Sequence, residues 1–219
     1  LEVSYATADD NTRPMIEGIN ITRDRFTGLN GYYASIRYTD DFNIDENIIL
    51  SPKTWKVLLK VVDKKSDKPV KVSWDKGKLI RFEFEKYNVI GDLLEEKYLK
   101  VEDIVRDWYE TRIKLNTQKL IKSIKLMKKL KGKNQLIDLH INKTLQIKTQ
   151  TDMDIMTDEF ELLEYEGQPI DIRFNINYFY NVINQFKDTD IVLEFVDHLN
   201  PMYVKTDNCL DFLLPVRRG

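Results

Sequence analysis

The chain has 219 residues, 42% of them hydrophobic, which is enough to bury the core of one large domain or two ordinary ones, and a formal charge of only −2. No apolar run approaches the roughly 20 residues that span a bilayer, and no basic–apolar–small leader opens the chain, so an intracellular, cytoplasmic protein without a membrane segment is expected. The single cysteine excludes an intrachain disulfide, and Cys209, ahead of Leu210 and Phe212, reads as a small packed side chain. Residue 1 is Leu, which fits a chain that begins inside a longer protein.

In chain order, residues 3–9 (VSYATAD), 18–22 (GINIT) and 26–38 (FTGLNGYYASIRY) alternate apolar and polar positions as paired strands do. A turn is expected at Thr12-Arg13-Pro14 and another at Asn30-Gly31. Residues 48–50 (IIL) read as a short buried strand, followed by Ser51-Pro52 as cap and first position of a helix over 53–65. Residues 70–74 (VKVSW) and 78–87 (KLIRFEFEKY) flank Asp75-Lys76-Gly77, a hairpin signal. A domain boundary is placed near residue 106, at the charged, aromatic stretch RDWYETR, giving domains 1–105 and 106–219. Beyond it come a helix from residue 117, strands at 136–142, 144–150 and 170–174, and the acidic stretch 159–167. A second helix over 177–186 and strands at 190–196, 201–207 and 209–216 complete the chain.

The helices carry the charge. Leu120, Ile121, Ile124, Met127 and Leu130 recur at helical spacing, with Asn116 or Thr117 as cap and Gly132 as stop. Opposite them, Lys122, Lys125 and Lys129 fall within an arc of about 60°, flanked by Lys119 and Lys128, and residues 114–133 hold eight Lys and no acid. In the helix over 53–65, Trp55, Leu58, Leu59, Val61 and Val62 form a broad apolar face, while Lys53, Lys56, Lys60 and Lys64 share an arc of about 80°. The helix over 177–186 sets Tyr178, Phe179, Val182, Ile183 and Phe186 against the amides Asn177, Asn181, Asn184 and Gln185, again without acid. Residues 53–68 hold six Lys against two Asp, so with the eight Lys of 114–133 the two stretches carry +12 and leave −14 elsewhere. Exposed helices normally mix signs, because Glu–Lys pairs four residues apart add a few tenths of a kcal/mol. Basic helices on an otherwise acidic chain point to a polyanion met by helices alone.

The two halves also resemble each other. The order strand, helix 53–65, VKVSW, turn, KLIRFEF corresponds to IRF, helix 177–186, IVLEF, turn, PMYVKTD, at an offset of about 120 residues. In the first half the counterpart of the basic helix falls at or before residue 1, with only its end, residues 1–7 (LEVSYAT), present, which again fits a truncated N-terminus. The expected class is therefore α+β, with repeated units whose antiparallel sheets carry helices on one face.

At this level of detail the chain resembles the second and third domains of the bacterial DNA polymerase III β subunit, the sliding clamp. The resemblance rests on Thr12-Arg13-Pro14 with Gly18, on Phe174-Asn175 with Tyr178, and on the ending Leu214-Pro215-Val216-Arg217. It implies the DNA-clamp fold, with sheets outside and helices on the inner, DNA-facing side, and a three-domain subunit that closes a ring as a head-to-tail homodimer. It implies a non-catalytic processivity factor without a cofactor, whose partners are double-stranded DNA and, through short peptides, DNA polymerase and clamp-loader subunits. The DNA-contacting set is then Arg13, Lys53, Lys56, Lys60, Lys64, Lys119, Lys122, Lys125, Lys129 and Asn181. The resemblance also implies a peptide pocket, to which the first domain gives Ile16, Leu29, Gly31, Tyr32, Tyr33, Ala34 and Ile104. The second domain gives Met202, Phe212, Leu214, Pro215, Val216 and Arg217. Tyr33 stands where the family has Arg, and Ala34 where Leu is common.

Two other readings come from the same residues. A DNA-binding scaffold would keep the fold without closing a ring. A metal-dependent nuclease would use the acidic run Asp152, Asp154, Asp158 and Glu159, although the spacing lacks the glycine and terminal Glu of a calcium loop. His140 and His198 belong to no zinc motif, and no phosphate-cradling glycine loop is present.

Overall fold

Three times along the chain a strand ends on a hydrogen-bonding residue that immediately caps a helix, and these junctions organise both halves. The structure, a computed structural model, describes residues 2–9, 13–40, 44–63, 66, 68–75, 78–130 and 135–217, apart from the side chain of Glu102. The expectations for Thr12, Lys64, Lys76, Gly77 and Gly132 lie outside the described residues. The chain divides into two compact units, Leu1–Ile104 and Val105–Gly219.

In the first unit, β1 (Ile19–Ile21), β2 (Arg25–Leu29), β3 (Tyr33–Tyr38) and β4 (Ile48–Leu50) form an antiparallel array in the order β3-β2-β1-β4. Ser51 then caps the helix Pro52–Val61: its side chain accepts from the Thr54 backbone N–H, and Pro52 takes the first helical position. Strands β5 (Lys71–Trp74), β6 (Leu79–Glu83) and β7 (Asn88–Asp92) form a second antiparallel sheet. The hairpin between β5 and β6 is tied by Asp75 Oδ1, which accepts from Leu79 N–H at 2.8 Å.

The second unit repeats this order with one strand–helix pair added in front. Strand β8 (Thr111–Asn116) runs into the helix Thr117–Met127, capped by Asn116, whose Oδ1 accepts from Gln118 N–H at 3.0 Å. Strands β9 (Leu136–Ile141), β10 (Thr144–Gln150), β11 (Ile155–Glu161) and β13 (Ile170–Asn175) then form the order β11-β10-β9-β13, the connectivity of the first unit. Asn175 caps the helix Ile176–Ile183, accepting from Asn177 and Tyr178 N–H at 2.9 and 3.2 Å. The short β12 (Glu164–Gly167) pairs with β8, followed in order by β14 (Asp190–Phe195), β15 (Met202–Thr206) and β16 (Cys209–Leu213). With the four-residue α1 (Pro14–Glu17), the three longer helices are α2, α3 and α4 in chain order.

Several expectations are corrected. Residues 2–6 form a 3-10 turn, in keeping with the end of a helix and not with the strand that their alternation suggests, because Val3 and Ala6 are the positions it buries and their spacing of three matches that helix. Pro14 opens α1 rather than a turn. Helix α2 stops at Val61, which is 39% exposed and not part of the apolar face, and α3 stops at Met127, with Lys129 and Leu130 in tightened turns. Strands β7 and β8 lie where no strand was expected. The core assignments of α3 stand: Leu120, Ile121, Ile124 and Met127 are all buried, each contributing about 1.5–3 kcal/mol.

Cys209 is a buried free thiol with Sγ 2.8 Å from Thr206 Oγ1. Phe212 is 1% exposed and meets Tyr203 edge to face at 6.5 Å between ring centroids. Its truncation acts on the fold: Phe212→Ala should lower unfolding free energy by about 3–5 kcal/mol in urea denaturation. Asn175→Ala, which removes one cap acceptor, should cost about 1 kcal/mol in the same measurement.

Candidate nucleic-acid interface

A helix that leaves its strand without a loop has its orientation set by the sheet, so its apolar stripe must turn inward and the opposite face outward. On α3 that outward face is Lys119, Lys122 and Lys125, continued by Lys129 past the helix end, all exposed. On α2 it is Lys53, Lys56 and Lys60, also exposed. None of the helices α2, α3 and α4 has an acidic residue in its first turn, so the positive end of each backbone dipole is left uncompensated.

Ion pairing separates these lysines from the other cations. Arg112 and Lys114 on β8 share Glu164 at 3.3 and 3.1 Å, and the hydrogen bond and charge of Lys114 hold that carboxyl below its ordinary range. Arg173 grips Asp138 across the β9–β13 ladder with two bonds of 2.8 and 2.9 Å, and Lys205 meets Glu194 at 2.5 Å. In contrast, Lys53, Lys60, Lys119, Lys122, Lys125 and Lys129 form no ion pair among the described residues. Lys56 is the exception, 3.5 Å from Asp9. Unpaired lysines on exposed helix faces are held at a cost in local repulsion and present charge to whatever anion approaches.

The amide face of α4 is less open than its composition suggests. Asn181 is half-buried and its backbone carbonyl accepts from Gln185 Nε2 at 3.0 Å, while Asn177 donates to Gln135. Tyr180 sits on this face beside α3, with Lys128 Nζ 4.1 Å and Lys125 Nζ 5.8 Å from its ring centroid. Burial lowers the Lys128 pKa. Tyr180 and Lys128 were not among the expected site residues, although Tyr180 lies three and four residues from Asn177 and Asn184. Arg13 is exposed but lies off the helix faces: its guanidinium covers Gly31, where an added Cβ would sit 3.2 Å from Nη1.

The expected peptide-pocket residues divide by exposure. In the first unit, Ile16, Leu29, Tyr33 and Ala34 are buried, and Tyr33 is bound into the fold by stacking on Tyr5 at 5.9 Å and donating to the Tyr5 carbonyl at 3.3 Å. Gly31 adopts φ +90° in a turn where Asn30 Oδ1 accepts from the N–H groups of Tyr32 and Tyr33, which leaves Tyr32 53% exposed. Ile104 is half-buried. In the second unit, Met202 and Phe212 are core side chains, Leu214, Pro215 and Val216 are half-buried, and Arg217 is exposed. Val216 N–H donates to the Arg173 carbonyl at 2.8 Å, which fixes the chain end along β13, and Val216 lines a cleft of about 560 Å3 with Ile170, Arg173, His198 and Leu199.

The acidic run does not converge. Asp158 and Glu159 are neighbours on β11 and so point to opposite faces, while Asp152 and Asp154 lie at the β10–β11 turn. Among the described residues no three His, Cys, Asp or Glu side chains are grouped to hold a metal ion, and no helix is long and apolar enough to cross a membrane.

Residues 107–215 match the family model of the DNA polymerase III beta subunit, C-terminal domain. The whole chain is similar in structure to the DNA polymerase sliding clamp from Bacillus subtilis, with a TM-score of 0.90 at 18% identity. The beta subunits from Thermotoga maritima and Streptococcus pyogenes match with TM-scores of 0.89 and 0.88, each at 19% identity. These alignments cover 100%, 100% and 99% of this chain but 61%, 62% and 62% of the other chains, so it spans less than two thirds of their length. No curated protein sequence matches it. Residues 107–215 thus form a domain of the DNA polymerase III beta subunit family, and the fold of the chain is that of the bacterial sliding clamps.

Proposed function

We propose that the chain is the part of a DNA sliding clamp corresponding to the second and third domains, residues 1–105 and 106–219, and that it serves as a non-catalytic processivity factor. The observation that carries this reading is the lysine face of α3, without an ion pair among the described residues, beside that of α2, where only Lys56 is paired, on a protein whose strand cations are mostly neutralised by nearby acids. Exposed lysines on flexible stems suit phosphates contacted through water, without base-edge readers, and such contacts are weak enough to let a protein slide. In the full-length protein these helices would face duplex DNA inside a homodimeric ring.

The finer part of the proposal is a peptide site that tethers polymerase and clamp-loader subunits. Of its expected residues, Gly31, Tyr32 and Ile104 in the first unit and Leu214, Pro215, Val216 and Arg217 in the second are those with surface to offer. A tyrosine supplies a large, stiff contact, and Arg217 a fixed charge, for a short peptide with apolar anchors.

Duplex binding followed over a salt series tests the first claim. Lys122→Glu, Lys125→Glu and Lys129→Glu combined should lower the log–log salt slope by about 0.9 for each phosphate that the variant no longer neutralises, with unfolding free energy nearly unchanged. Equal binding by parent and triple variant at low salt would remove the electrostatic interface. For the peptide site, Tyr32→Ala should weaken binding of a labelled peptide from the cognate polymerase at least roughly tenfold while leaving DNA affinity intact. Unchanged peptide affinity would exclude Tyr32 as an anchor.

A further inference from the structure

Two lysines from α3 and the turn that ends it meet one ring of α4. Lys128 Nζ lies 4.1 Å and Lys125 Nζ 5.8 Å from the Tyr180 centroid. Phe179, Val182 and Ile183 are buried in the core, which leaves Tyr180 half-buried on the side of α4 that these lysines reach. Lys128 is half-buried as well, whereas Lys119, Lys122 and Lys129 are exposed. The grouping is one-sided in charge, because neither residues 117–135 nor residues 176–187 include an acid. Lys125 and Lys128 form no ion pair among the described residues, and the Tyr180 hydroxyl makes no hydrogen bond among them. The first acids beyond α4 are engaged elsewhere: Asp188 lies 3.8 Å from Lys187, and Asp190 accepts from Asn116 Nδ2 at 2.8 Å. A ring face attracts each ammonium through its quadrupole but cancels no charge. Two like charges gathered at one ring, one of them partly withdrawn from water, are therefore short of an anion. Lys128 shows that shortfall, since burial lowers its pKa.

We propose that Lys125, Lys128 and Tyr180 form a fixed seat for one backbone phosphate of duplex DNA, in which Tyr180 is the positioning residue. This rests on the reading of the lysine faces as a DNA interface and adds one discrete contact to their diffuse charge. A lysine on a free stem loses rotamer freedom when it meets a phosphate, and a stem already held against a ring loses less. Partial burial lowers the local dielectric and strengthens the contact between opposite charges. The unpaired hydroxyl adds a neutral donor to the two cations. Lys128 also stands at the C-terminal end of α3, where its charge meets the negative end of the backbone dipole, but that role accounts neither for the ring nor for Lys125 beside it.

A mutant cycle on the intact 219-residue chain, read by binding of a short blunt duplex over a salt series, tests the seat. Tyr180→Leu should weaken duplex binding about three- to tenfold, and Tyr180→Phe, which keeps the ring and loses the donor, should fall between parent and Tyr180→Leu. Lys125→Gln and Lys128→Gln combined should lower the log–log salt slope by about 0.9, the contribution of one phosphate. In that background Tyr180→Leu should change affinity by less than about twofold, because the ring then has no ammonium to hold. Damage to the packing of α4 would instead persist there undiminished, and that result would overturn the seat. Equal duplex affinity in parent and folded Tyr180→Leu would overturn it too, as would saturation by inorganic phosphate with duplex affinity unmoved by the substitutions. Each of these outcomes leaves the wider lysine interface standing, whereas a parent chain that binds no duplex at low salt overturns both.

Discussion

The direct passage from strand into capped helix constrains everything else in this molecule. A β-strand fixes the direction in which the next residue leaves, and Ser51, Asn116 and Asn175 use that residue to satisfy the first orphan N–H groups of a helix. No loop intervenes to let the helix rotate, so its apolar stripe and its polar face are both assigned by the sheet. The outward lysines of α2 and α3 follow from the same geometry that buries Trp55, Leu58, Leu120 and Ile124. Core packing and charge display are two readings of one sequence period.

Charge separation in this protein is local. A net charge of −2 conceals the helices α2 and α3, which carry lysine without acid, and strands most of whose cations have partners. Exposed pairs such as Arg112–Glu164 are each worth little, about 0–1 kcal/mol, and their effect here is to silence the field of the sheets rather than to stabilise them. The positive field that remains originates from the helices, where uncompensated N-termini add to it. Tyr180 joins that surface as an aromatic support beneath Lys125 and Lys128.

Much of this was legible in the sequence, and the reasons differ by element. Helices α2, α3 and α4 were readable because a 3.6-residue period, a capping side chain and one-sided charge coincide. Strands with clear alternation, such as β10 with alternate residues buried, were equally plain. Strand β7 was missed because NVIGD is short and follows a longer alternating run, and β8 because Arg112 and Lys114 masked the buried Thr111, Ile113 and Leu115 between them. The candidate sites were less legible. Sequence identifies Leu29, Tyr33, Met202 and Phe212 as apolar members of a motif, but only packing reveals that they are spent on the core, while the turn at Gly31 presents Tyr32 to solvent.

Cys209 opens β16 at the β15–β16 turn, buried and in contact with Thr206. Being the sole thiol in the chain, it makes the molecule its own reporter: a bulky maleimide reaches the sulfur only when the hairpin opens. The rate of alkylation therefore measures how often the last strands of the second unit part from each other. Any event that tightens or loosens that end of the chain becomes readable as chemistry at a single atom, without a label that perturbs the fold.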